Sequence, residues 1–314
     1  MTKFIFQRIF QMIFILLGVS FIVFFSMHIA PGDPATFIAG EEAPPETVEQ
    51  IREDMGLNDP FFVQYGDYMA GLIQGDLGYS YQTSQNVGEA ILLRLPNTVR
   101  LITAGLTVAA VLGIAIGIIA ALRHRSWLDY TATSFSLLGL SIPNFWLGTM
   151  AILVFAVILQ WVPVGGFNSP WFTFEGIQET IIPALTLGLS SAATIARMTR
   201  SEMLEVLGSD YIKTARSKGV REIKVYMVHA LRNAMIPTIT VLGLSFGVLM
   251  GGTVILEEVF AINGIGRLLV DAIQQRDFPM VQGGVLLIAA TFVIINLIVD
   301  LLYIIIDPRI SYGE

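Results

Sequence analysis

Hydrophobic positions along this chain come in long unbroken runs rather than in alternation. A run of about 20 apolar residues is the length an α-helix needs to cross the hydrocarbon core of a bilayer. Six such runs are readable, at roughly 9–29, 99–122, 133–159, 181–198, 236–256 and 281–306. A closed β-barrel would alternate apolar and polar residues along each strand, so the pattern excludes one. The fold class is therefore all-α, a polytopic membrane protein with six transmembrane helices. The first run is too long for a cleaved signal peptide and lacks a small-residue cleavage site before polar sequence, so it reads as a retained helix.

The polar intervals divide the chain. Residues 1–29 hold an N-terminal segment and the first span, 30–98 an external segment, and 99–314 the other five spans with a polar loop at about 199–235. In the external segment Pro44-Pro45 breaks the chain, Glu46 to Met55 reads as a short helix, and Gly56 fits its left-handed cap. Phe61-Phe62-Val63-Gln64-Tyr65 opens a second amphipathic stretch, and Gly71, Gly75 and Gly78 punctuate the chain beyond it. The segment reads as a small cap over the helices or as a docking surface for an external partner, and the two can coexist.

Several spans carry further signals. Ala109, Gly113, Gly117 and Ala121 in span two, and Gly243, Gly247 and Gly251 in span five, recur every four residues. Small residues on one face let helices approach closely in lipid. Tight packing is the reading for both, with a sliding or pore-lining face in span five as the alternative. Ser141-Ile142-Pro143-Asn144 interrupts span three, where proline removes a backbone hydrogen bond and kinks a helix. Asp300, one turn after Asn296, lies in span six near its cytoplasmic end and is expected to pair with an arginine or lysine. Between spans five and six, Leu268 to Gln274 reads as a re-entrant or interfacial helix.

Composition agrees with this picture: 54% of residues are hydrophobic and 14% charged, with a mean hydropathy of +0.69. The chain has no cysteine, which excludes disulfides, thiol catalysis and thiolate metal sites. The net charge of −7 is informative only when split by side. Lys3, Arg8, Arg123, Arg125, the Lys and Arg residues from Arg197 to Arg232, and Arg309 fall on one side, thirteen against four on the other (Arg52, Arg94, Arg267, Arg276). The positive-inside rule makes the first side cytoplasmic and puts both termini there.

The cytoplasmic loop from Gly208 to Val220 is the most unusual segment. Ser209 fits an N-cap and Asp210 the first turn of a helix, where its dipole favours an anion. Arg216 and Lys218 fit the last turn, and Gly219 fits the left-handed residue that ends it. A second helix is expected over about 221–234, with Ile223, Tyr226, Ala230 and Leu231 on one face. The first helix is too short to stand alone, so it needs packing beneath and a partner above. No P-loop and no His-Glu-x-x-His occurs, the three histidines are far apart, and Asp300 has no carboxylate mate at its depth. No catalytic and no metal residue is therefore assigned.

This loop resembles the coupling loop of ABC importer permeases, whose motif is Glu-Ala-Ala, three residues, Gly, nine residues, then Ile-x-Leu-Pro. Ala215, Gly219 and Leu231 take motif positions, while Lys213, Thr214, His229 and Arg232 depart from it. The chain is more similar to the dipeptide, oligopeptide and nickel branch of that family. The resemblance is carried by Asp210-Tyr211, Thr214-Ala215-Arg216, Lys218-Gly219 and His229-Ala230-Leu231-Arg232-Asn233-Ala234 in the loop. Elsewhere it is carried by Pro31-Gly32-Asp33-Pro34, Gly75-Asp76-Leu77-Gly78, Leu95-Pro96-Asn97-Thr98, Pro143-Asn144-Phe145-Trp146, Arg276-Asp277-Phe278-Pro279 and Asp307-Pro308-Arg309. It runs almost the whole length, and the long first external segment fits the B-type subunit.

The resemblance implies a permease subunit in a bacterial plasma membrane, without an ATPase site of its own. It implies as partners a second, C-type permease, two cytoplasmic ATPase subunits and an extracellular solute-binding protein, with no nucleic acid. ATP and Mg would be used by the ATPase subunits, and this chain would bind no cofactor. The residues that would couple to the ATPase are Asp210, Tyr211, Thr214, Ala215, Arg216, Ser217, Lys218 and Gly219. Short peptides are the expected cargo, with nickel or a metal chelate as the alternative; the residues lining the pathway are not assigned. From other classes, a membrane-embedded hydrolase would act without an ATPase, and a passive channel would conduct without ATP.

Overall fold

The computed structural model describes residues 2–29, 32–40 and 42–306. Pro31, Glu41 and Asp307-Pro308-Arg309 lie outside the described residues. In order, the helices are α1 (Thr2–Ile29), α2 (Pro34–Ala39), α3 (Pro45–Asp54) and α4 (Phe61–Ile73). A two-residue hairpin of β1 (Tyr79–Ser80) and β2 (Gln85–Asn86) leads into α5 (Val87–Leu122). Then come α6 (Trp127–Ser141), α7 (Asn144–Ala151) with a π-helical continuation (Ile152–Ile158), α8 (Phe174–Leu207) and α9 (Asp210–Ser217). The short α10 (Glu222–Lys224) runs through a π turn (Val225–Ala230) into α11 (Leu231–Val259), followed by α12 (Ile265–Gln274) and α13 (Phe278–Ile306).

Among the described residues five helices are long and apolar enough to cross a membrane, and α6 with α7 and its continuation makes a sixth crossing if that bent pair is one span. The protein is thus an all-α polytopic membrane protein. The bend at Ile142-Pro143 is 100°, a break rather than the kink expected from one proline. The Ser141 hydroxyl bonds the Leu137 carbonyl at 2.9 Å and so does not bridge the break. At 36 residues, α5 spans about 54 Å, well over the roughly 30 Å of hydrocarbon. Its first turns lie before the apolar run that begins at 99.

The chain forms two compact units. One comprises residues 1–96 and 264–293. Its core joins Val87, Ala90 and Ile91 of α5 to Ile265, Leu268, Leu269 and Ala272 of α12 and to Met280 and Val281 of α13. So α12 turns Leu268 and Leu269 inward, while Ile273 stays exposed. An aromatic cluster from α1 (Phe21, Phe24, Phe25) and α4 (Phe61, Tyr65, Tyr68) pins the external helices to the first span. As expected, α3 is closed by Gly56, whose φ is +66°.

The second unit comprises residues 97–263 and 294–314. Its centre is α8, packed by α6, α7 and α11 and buried through Ala184, Leu187, Ala192, Ala193, Ile195 and Ala196. The small-residue stripe of α5 explains its close approach to α8. A Cβ on Gly113 would stand 2.7 Å from Ile195 Cβ, and one on Gly117 2.6 Å from Thr199 Cβ. In α11, Gly243 faces Val299 of α13, where an added Cβ would come within 2.5 Å, whereas Gly251 faces open space.

Charged residues buried in this unit are fully engaged. Arg100 donates to Thr180 Oγ1 at 2.8 Å, to the Ser169 carbonyl at 2.9 Å and to the Gly176 carbonyl, and stands 3.6 Å from Glu179. Glu179 in turn accepts from the Asn168 and Ser169 backbone N–H groups at 3.1 Å. A buried charge persists only when paired and hydrogen-bonded in this way.

Candidate functional site

The polar loop starts where α8 runs out of apolar sequence at Leu207. Ser209 has the extended backbone of an N-cap (φ −71°, ψ 155°), but its hydroxyl makes no cap bond. It donates to the Val206 carbonyl at 2.6 Å, a backward bond that competes with capping. The start of α9 is instead supported by Asp210, which the helix dipole favours and which pairs with Lys213 at 2.8 Å. That pair is solvent-exposed and adds little to stability.

The one buried side chain of α9 is Ile212. It is 0% exposed and packs with Ala121 of α5, Met203 of α8, and Val225, Ala230 and Ala234 of the helix leading into span five. Reading the loop as polar missed this residue; the lone isoleucine between Tyr211 and Lys213 was the available signal.

The end of α9 closes as expected. Gly219 has φ +74° and its N–H donates to the Arg216 carbonyl at 2.9 Å, while Val220 N–H reaches the Ala215 carbonyl at 3.2 Å. These two bonds are the pattern of a Schellman motif. Arg216 then forks onto Glu222 at 3.0 and 3.3 Å, tying the cap to the next helix. Tyr211 bridges across: its hydroxyl donates to the His229 carbonyl at 3.3 Å and accepts from Asn233 Nδ2 at 2.6 Å.

The expected second helix at 221–234 is not a separate piece. It runs from Glu222 to Val259 as one 38-residue stretch. Of the face expected from Ile223, Tyr226, Ala230 and Leu231, Ala230 is buried and Tyr226 and Leu231 pack against the same cluster, whereas Ile223 is 62% exposed and Val225 is buried instead. A π turn covers Val225–Ala230. A wider turn adds a residue, so the buried positions Val225 and Ala230 are five apart, before the four-residue step to Ala234 resumes.

The structure therefore gathers Asp210, Tyr211, Thr214, Ala215, Arg216, Ser217, Lys218 and Gly219 on one short helix and its cap. All but Ala215 are exposed, and Ala215 is half-buried. A second cluster joins α6 to α8. Asp129, 4% exposed, accepts from Arg200 Nε at 2.6 Å and Nη2 at 2.8 Å, from the Arg125 N–H at 3.0 Å, and contacts His124 at 3.2 Å. Residues so far apart in sequence gave no signal of this pairing.

Two chemical alternatives can be placed. Gly243-Leu244-Ser245-Phe246-Gly247 has the G-x-S-x-G spacing of a hydrolase nucleophile elbow. It lies in mid-helix rather than on a strand-to-helix turn, and Ser245 donates to the Val241 carbonyl at 2.8 Å, so it is no elbow. Among the described residues no group of three His, Asp or Glu could hold a metal.

Comparison with known proteins covers nearly the whole chain. Residues 113–312 match the family model of the binding-protein-dependent transport system inner membrane component. Residues 1–102 match the model of that family's N-terminal region. A putative peptide transport system permease protein of Brucella suis is 46% identical over 99% of this chain and 100% of its own length. The dipeptide transport system permease protein DppB of Alkalihalophilus pseudofirmus is 41% identical, with the same coverage. The glutathione transport system permease protein GsiC of Escherichia coli K12 is 42% identical, again over 99% of this chain and 100% of its own length. Among solved structures, the inward-facing MetNI methionine ABC transporter matches with a TM-score of 0.55 at 17% identity, covering 69% of this chain and 96% of that one. This last likeness concerns the fold.

Proposed function

We propose, from the premise that this chain belongs to the family of binding-protein-dependent transport system inner membrane components, that it is the permease subunit of a bacterial ATP-driven importer of short peptides. Peptide, dipeptide and glutathione are the cargoes in the names of its relatives, and they support that class of solute. The observation that carries the mechanism is α9. It is a short helix, closed by a Schellman cap, anchored by one buried isoleucine and exposed over its outer face.

Such a helix is built to be gripped. Its partner would be an ATPase subunit, one of two, and a second permease of similar fold would complete the pathway. A solute-binding protein would deliver the peptide from outside. ATP and Mg would act on the ATPase alone. When the ATPase pair closes, α9 would move as a rigid body, because Ile212 locks it to α8 and α11. Both helices continue from that cluster into membrane spans, so the movement reaches the pathway without any chemistry on this chain. Buried charges of the spans, such as Arg100 and Glu179, are engaged internally and leave a polar, zwitterionic backbone no strong trap.

The test is uptake by cells lacking this chain and complemented with it. Labelled di- and tripeptides should enter and labelled nickel should not. Nickel uptake alone would keep the architecture and overturn the cargo.

A further inference from the structure

The unit formed by residues 1–96 and 264–293 encloses a cavity of about 590 Å³ that coupling leaves unused. That is the size of a pocket for a small organic molecule. It lies among the end of α1, helices α2 to α4 and the turn from α12 to α13. Two of its lining residues point to a ligand.

The first is Tyr68. Its hydroxyl is buried, yet it has no hydrogen-bond partner among the described residues. Buried polar groups are nearly always paired, so an orphan on a cavity wall marks a place for a ligand's polar atom. Burial, with Tyr65 nearby, pushes its pKa up to about 12, so it remains a neutral O–H donor.

The second is Arg276. The α12–α13 turn is a Schellman closure: Asp277 N–H donates to the Ala272 carbonyl at 2.8 Å and Arg276 N–H to the Ile273 carbonyl at 3.2 Å. Arg276 occupies its left-handed seat with φ +54°, where glycine is the unstrained choice. A non-glycine residue in such a seat is held there by the surrounding structure, and such residues cluster at ligand sites. The guanidinium stands 4.9 Å over the Phe37 ring. The turn that presents it is fixed by Asp277, which accepts from the Ser80 hydroxyl and from Met280 N–H.

We propose that this cavity binds a short zwitterionic peptide, with its carboxylate on Arg276, a backbone carbonyl on the Tyr68 hydroxyl and its ammonium towards Asp67. The ligand class rests on the peptide reading of the chain. A guanidinium carries five donors and meets a carboxylate two at a time, so Arg276 can serve a ligand along with its protein contacts. Asp67 lines the same cavity and supplies the opposite charge. The Asp33–Arg52 pair, 2.6 Å apart on the wall, is mutually satisfied. Phe24, Phe37 and Phe278 give the rest an apolar surface that accepts side chains of differing shape.

The experiment is binding of tritiated L-alanyl-L-alanine to the full chain in nanodiscs, without the solute-binding protein. Saturable binding is expected, and the C-terminal amide of the dipeptide should compete at least about tenfold less well, as loss of a charge-assisted pair implies. Arg276→Gly relieves the left-handed seat, so the variant should fold and yet bind at least about tenfold more weakly. Tyr68→Phe keeps the ring and should weaken binding several-fold. No saturable binding at millimolar dipeptide, or binding unchanged in both variants, overturns the site. Cells that take up dipeptide through a chain that does not bind it would leave the importer reading standing and remove only this site. Nickel-only uptake would remove both.

Discussion

Replacement of Gly219 gives the sharpest view of how α9 works. An ideal Cβ at this position meets nothing within 4 Å, so no side chain would clash. The whole cost is conformational, because φ is +74°. An L-residue in that region is disfavoured by roughly 1–2 kcal/mol, and a β-branched one fares worst. A shift of 1–2 kcal/mol changes the ratio of closed to frayed cap by about 5- to 30-fold. With one buried anchor, α9 has little reserve to absorb this. Gly219→Val should therefore lower peptide imported per ATP hydrolysed by about tenfold, or prevent ATPase assembly. Gly219→Asn, a residue that tolerates left-handed backbone, should stay near the wild type. The assay is simultaneous uptake and ATP hydrolysis in proteoliposomes holding the complete complex. A valine variant that imports as much peptide per ATP as the wild type refutes the rigid-helix account.

Ile212→Ala empties the centre of the cluster beneath α9 and should cost about 2–5 kcal/mol locally; the chain should still insert in the membrane while ATPase co-purification falls. Asp129 and Arg200 act as one unit, so Asp129→Ala, Arg200→Ala and the double variant should show strong non-additivity in thermal unfolding of the purified complex. Full additivity would mean that the 2.6 Å contact contributes nothing. Asp33 predicts a pH dependence: burial raises its pKa, but Arg52, Thr36 and the Ala35 N–H together bring it below the ordinary 3.8. Its folded pKa lies below its unfolded one, so its contribution is complete above pH 3.8 and is lost as pH falls through the folded value. The stability advantage of wild type over Asp33→Asn should thus be present at neutral pH and vanish in acid.

Much of this architecture was legible because membrane insertion depends on apolar length, and apolar length is written directly in sequence. The runs located the five long apolar helices and the bent pair of α6 and α7, but not the helix ends. The start of α5 at Val87 depends on Val87, Ala90 and Ile91 packing against α12 and α13, a long-range contact that no local window contains. Proline at 143 announced an interruption, but the 100° size of the bend was not written in the local sequence. Gly219 was readable because a left-handed residue has few alternatives to glycine. Ile212 was passed over because a single apolar residue makes no periodicity. The π turn at Val225–Ala230 departs from the 3.6-residue template, so Ile223 was expected on the packed face where Val225 lies, while Tyr226, Ala230 and Leu231 were placed on it.

The central claim is that force from an ATPase enters this chain through α9. The chain has no cysteine, so a single one introduced by Lys213→Cys, on the exposed face of α9, is a unique chemical handle. Cross-linking from that position in membranes that actively import peptide should trap an ATPase subunit, with a yield that changes when ATP is bound. Uptake-competent membranes in which that handle reaches only lipid or solvent would contradict the account.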